Sequence, residues 1–111
     1  MTPDTAFDLV ADAHRRVVLY HLIDGDGTAT RRELVERIAS WEEARDSDDS
    51  PEGIRRRVAI NLAHVHLPKL SEAGIVEYDA RGEDVALADG AADLAPLLEL
   101  ARPADDFVTM E

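Results

Sequence analysis

The stretch from Ser50 to Ile75 constrains this chain more than any other. Ser50 and Pro51 suit a helix N-cap and first position, and Gly74 is a natural terminator, so together they bracket one long helix. At about 100° per residue, Ile54, Val58, Leu62 and Val65 form one apolar stripe. Ile60, Ala63 and Leu67 form a second, roughly opposite, and Pro68 must kink or tighten the helix because it lacks a backbone donor. The chain has 24 acidic residues among 111, yet none falls between Gly53 and Ser71, where Arg55, Arg56 and Arg57 stand side by side. Burial of two stripes explains part of that gap. The first two turns remain free to meet a polyanion.

Charge is unevenly placed along the chain. Residues 1–30 carry two bases and five acids, residues 31–69 eight of each, and residues 70–111 two and eleven, giving −3, 0 and −9 for the total of −12. Arginine supplies every base except Lys69, and such an acidic, lysine-poor surface suits a salt-accumulating halophile. Near 1 M salt the Debye length is only about 3 Å, so like charges repel little. The total argues against indiscriminate nucleic-acid binding, while the neutral middle suits a site that meets DNA. The length fits one domain, spanning 1–102 with a core at 5–89 and a C-terminal helix at about 90–101; residues 103–111 read as a mobile acidic tail. No apolar run reaches the roughly 20 residues of a membrane span. The chain starts without a signal-peptide pattern and has no cysteine, which favours a cytoplasmic protein.

The remaining elements follow from local chemistry. Residues 5–23 read as helix in two pieces, with Asp12 capping the second, whose Val17, Val18, Leu19, Tyr20, Leu22 and Ile23 are apolar nearly all round. Asp24 to Gly27 is a turn and Thr28-Ala29-Thr30 a very short strand. Thr30 and Glu33 form a capping box for a helix burying Leu34, Val35, Ile38 and Trp41, and Glu42–Ser50 reads as a loop. Residues 75–78 and 85–87 flank a Gly-containing loop, the pattern of a β-hairpin. Leu94, Leu97, Leu98 and Leu100 mark a last helix that Pro96 threatens to break. The fold class is mainly α with a small β-hairpin wing, a winged helix-turn-helix.

Leu70-Ser71-Glu72-Ala73-Gly74-Ile75-Val76, stepping from the long helix into the hairpin, resembles the winged-helix repressors of the ArsR and MarR type. His66-Leu67-Pro68-Lys69-Leu70, with Arg15 to Tyr20, Asp26 to Thr30 and Glu33-Leu34, resembles a halophilic-archaeal winged-helix family of unassigned biochemical function. The resemblance covers roughly residues 5–89 and implies a DNA-binding transcriptional regulator or a domain borrowed from one. The tract Glu42–Ser50 is longer than the usual three- or four-residue turn between the two helices.

In helix-turn-helix docking the start of the second helix reaches base edges while flanking groups hold phosphates. Arg55 and Arg57 are the leading candidates there; Arg56 is a further one, and because it heads the second stripe its alternative place is a subunit boundary. Arg31 and Arg32 open the preceding helix, where a phosphate contact and pairing with Glu33 or Glu36 are both open; Arg81 sits at the wing tip among Asp79, Glu83 and Asp84. The alternative for Arg55 to Arg57 is pairing with Glu52, Asp48 or Asp49. His14, His21, His64 and His66 lack a metal-binding spacing and read as structural, and no catalytic motif or cofactor-binding loop stands out. The expected partner is double-stranded DNA, bound by a homodimer paired through the second stripe and the last helix. The alternative is a winged-helix protein-interaction module that no longer binds DNA.

Overall fold

The computed structural model describes residues 1–45 and 48–105. Thr2 caps α1 (Pro3–Val10), and the Asp12 carboxylate accepts the N–H groups of His14 and Arg15 at 2.8 and 3.3 Å to open α2 (Ala13–Asp24). Val17, Val18, Leu19, Tyr20 and Leu22 of α2 are all buried, as a helix apolar on every side requires. β1 (Thr28–Thr30) leads straight into α3 (Arg31–Ala44), where Thr30 Oγ1 accepts the Glu33 N–H at 3.1 Å. α3 and α4 (Pro51–Asn61) pack together through Leu34, Ile38, Ile54 and Val58, and Ser50 Oγ accepts the Gly53 N–H at 3.1 Å.

The long helix is not uniform. Leu62–His66 form a π-helical turn, in which the Leu67 N–H reaches back five residues to the Leu62 carbonyl, and α5 (Leu67–Glu72) continues from it. Pro68 supplies the cause, since a helix approaching a residue with no N–H must rearrange the preceding turn. The wider turn uses one extra residue and so turns everything beyond it back by about 100°. Val65, placed on the first stripe by uniform periodicity, is 46% exposed, while Leu67, placed on the opposite stripe, is fully buried with Leu70. The expected second stripe is thereby corrected: Ile60 faces solvent and Leu67 belongs to the core.

Gly74 (φ +77°) ends α5 in the left-handed region, and its carbonyl accepts the Gly90 N–H at 3.1 Å. A Cβ on Gly90 would lie 2.6 Å from that carbonyl oxygen, so only glycine fits where the chain leaves the wing. β2 (Val76–Tyr78) and β3 (Asp84–Leu87) form the hairpin, and β1 pairs on the far side of β3, giving an antiparallel sheet ordered β1-β3-β2. Ala29, Val76 and Val85 turn one face into the core. Helix, strand, two packed helices and a hairpin make a winged helix-turn-helix, with α2, α3 and α4 as its three helices and β2–β3 as its wing.

Two boundaries move. α3 runs through Ala44, so Glu42–Ala44, expected in the loop, are helical, and only 45–50 connect α3 to α4. α6 (Ala91–Asp105) contains both Pro96 and Pro103 without ending at either, so residues 103–105 belong to a helix rather than to a tail. Residues 106–111 of the expected tail lie outside the described residues. α6 packs on α1 and α2 through Leu94 and Leu98, which occupies within the chain the apolar face expected to form a dimer.

Candidate nucleic-acid interface

The exposed side of α4 is the candidate surface. Arg55 and Arg57, two residues and thus about 200° apart, flank it on opposite sides. α3 meets both. Arg55 Nε donates to Glu36 at 2.9 Å, and Arg57 Nη2 donates to Glu42 at 2.7 Å and to Asp49 at 3.1 Å. The hydrogen bond with Glu42 raises the pKa of Arg57, and the same bond lowers that of Glu42. Arg31, at the start of α3, donates to the Tyr78 hydroxyl at 3.0 Å and to Glu83 at 2.6 Å, tying α3 to the wing.

The other three candidates differ. Arg32, Arg56 and Arg81 are exposed, and among the described residues their side chains have no carboxylate partner. They stand on α3, on α4 and at the wing tip, the three elements a winged helix turns toward DNA. Among the described residues, Arg56 is the α4 arginine without a carboxylate partner. It lines a shallow groove with Ser50, Gly53, Ile60 and Asn61, where the Ile60 side chain is 54% exposed. Glu36, Glu42 and Glu83 were missed as partners because no local pattern reveals how α3, α4 and the wing sit together.

Behind α4 lies a buried polar cluster. Arg15, 6% exposed, donates to the Asp8 and Leu9 carbonyls, both at 2.8 Å, and Arg16 donates to the Val10 carbonyl at 2.8 Å. The two guanidinium groups thereby satisfy the last carbonyls of α1 and sit at the negative end of its dipole. Arg15 Nη1 also lies 3.2 Å from His66 Nδ1. Arginine cannot accept, so Nδ1 must, and the ring proton sits on Nε2, facing Asp12 Oδ1 at 3.8 Å. Ligand atoms of Asp12, His14 and His66 lie within 4.8 Å of one another. A metal at Nε2 would need the opposite tautomer, with Nδ1–H pointing at a guanidinium. The cluster fits a structural hydrogen-bond network better than a metal centre. His14 Nε2 pairs with Glu42 Oε1 at 3.0 Å and His21 with Glu33 at 4.0 Å, so the two histidines that share α2 do not converge.

Burial, reinforced by Arg15, His14 and Lys69 and opposed by Asp12, holds the pKa of His66 below its ordinary value. An unfolded histidine takes up its proton near about pH 6.5, so below that the unfolded chain binds more protons and stability falls with pH. Thermal unfolding between about pH 7 and 5 should show that decline. His66→Asn, whose amide oxygen can accept from Arg15, should show less of it; equal pH dependence in both proteins would contradict this role.

The fold and its arginine-bearing second helix define a small winged-helix protein. Residues 7–86 match the model of a family described as a domain of unknown function (DUF7344), and the chain belongs to that family. No curated protein and no solved structure matches it.

Proposed function

We propose that the chain is a DNA-binding transcriptional regulator that docks α4 in the major groove of duplex DNA. One observation carries the reading: among the described residues, Arg56 at the exposed start of α4 has no carboxylate partner, nor have Arg32 and Arg81 on the two neighbouring elements that a winged helix turns to DNA. Arg56 and Asn61 are side chains of the kind that bond guanine and adenine edges, and Ile60 suits a thymine methyl. Arg32 would hold a phosphate, and Arg81 would enter the minor groove beside the wing. The acidic, lysine-poor surface fits work in concentrated salt. The homodimer stays part of the reading: Leu100 and Phe7, 78% and 57% exposed, stand on the packed pair α6 and α1 and offer a self-complementary contact. Titration of duplex DNA into isotope-labelled protein tests the docking face.

A second reading, a winged-helix module that binds protein instead, is favoured by a different observation. Carboxylates stand on Arg31, Arg55 and Arg57, so acids interrupt the basic surface. The exposed Ile60 beside Arg56 would then anchor a partner with an acidic, apolar segment.

A further inference from the structure

Three of the six arginines on the proposed DNA face already hold an anion. Arg55 has Glu36 at 2.9 Å, Arg31 has Glu83 at 2.6 Å, and Arg57 has Glu42 and Asp49 at 2.7 and 3.1 Å. Most of these groups are exposed: Arg55 and Arg57 at 44% and 43%, and Glu36, Asp49 and Glu83 at 52%, 60% and 55%. Exposed pairs of this kind contribute only about 0–1 kcal/mol each, so phosphate can displace the carboxylate. Displacement leaves a fixed negative charge beside the DNA backbone. Electroneutrality requires a cation to follow it.

We propose that Glu36, Glu83 and Asp49 serve as resident counterions of this face, exchanging for phosphate on DNA binding and taking up potassium as they leave, while the half-buried Glu42, also paired with His14, stays in place. This rests on the DNA-binding reading above and adds its regulation by salt. An unpaired arginine meeting a phosphate releases a cation from DNA and lowers the slope of log K against log salt by about 0.9. A paired arginine releases one cation and recruits another, for a net change near zero. Each paired arginine thus removes about 0.9 from the slope that the same phosphate contacts would otherwise give, about 3 for the three of them. The interface keeps affinity in concentrated salt because half of its cations gain nothing when salt is removed.

The test uses the full chain, a labelled mixed-sequence duplex and a potassium chloride series, with Glu36→Gln/Glu83→Gln beside the wild type. Both glutamates are exposed, and unchanged thermal unfolding checks that the fold is kept. The double variant should steepen the slope by about two and bind more tightly than wild type in dilute salt. Glu99→Gln, on α6 and paired with Arg102, should leave the slope alone. Equal slopes in the wild type and the double variant overturn the counterion role while leaving DNA binding intact. Absence of binding by both proteins at every salt concentration overturns the DNA reading, and this proposal with it.

Discussion

Asp105→Ala is expected to destabilise the domain by about 2–4 kcal/mol, because it takes the carboxylate from the half-buried Arg16 guanidinium and from the buried Tyr20 hydroxyl. Asp105, 4% exposed, accepts from Arg16 at 2.7 and 2.8 Å and from the Tyr20 hydroxyl at 2.6 Å. Its carbonyl accepts from Trp41 Nε1 at 2.8 Å and from Arg45 at 3.2 Å. One residue thus fastens the end of α6 to α2 and α3. Burial alone would push its carboxyl pKa up, but the bonds from Arg16 and Tyr20 outweigh that and hold it below the usual carboxylate range. Burial and the bond to Asp105 push the Tyr20 phenol up, keeping it a donor. Domains of this kind have about 5–15 kcal/mol in total, so the loss is a large share. Urea unfolding should show a lower midpoint at unchanged slope, and Asp105→Asn, which keeps the volume and an acceptor, should lose less. A variant with wild-type stability would mean that α6 is not anchored here.

Leu67→Ala should cost about 2–5 kcal/mol and Val65→Ala well under half of that. A uniform helix makes the opposite forecast, since it puts Val65 with Ile54, Val58 and Leu62 and sends Leu67 to the other side. In the structure Leu67 is fully buried and Val65 is 46% exposed, because the π-turn before Pro68 turns the downstream helix back by about one residue. Equal losses in urea midpoints, or a larger one for Val65→Ala, would contradict the π-turn.

These two positions also show what was legible in the chain. Asp12, Thr30 and Ser50 cap helices as their side-chain chemistry requires, Gly74 ends one, and the alternation at 75–78 and 85–87 forms the wing. Each signal is local, and local signals were sufficient to define the fold. Pro68 announced a disturbance, but periodicity could not tell a kink from a π-turn, and Val65 and Leu67 were therefore assigned to the wrong faces. Asp105 sits in an acidic, proline-flanked run that reads as tail, and only its distant partners Arg16, Tyr20 and Trp41 bury it. The site was half legible for the same reason. The arginines on α4 are where the caps put them and Asp49 pairs with one of them as its neighbourhood suggested, whereas Glu36 and Glu42 come from α3.

The first two turns of α4 are proposed as the surface that meets DNA. The most direct test is to titrate duplex DNA into isotope-labelled wild-type and Arg56→Ala protein in concentrated potassium chloride, following every backbone amide. Saturable shifts are expected to concentrate at residues 52–61, with a smaller set at the wing loop 79–83, and binding to weaken by about 1–3 kcal/mol in Arg56→Ala. Shifts confined to α1 and α6, or identical binding by both proteins, would contradict it.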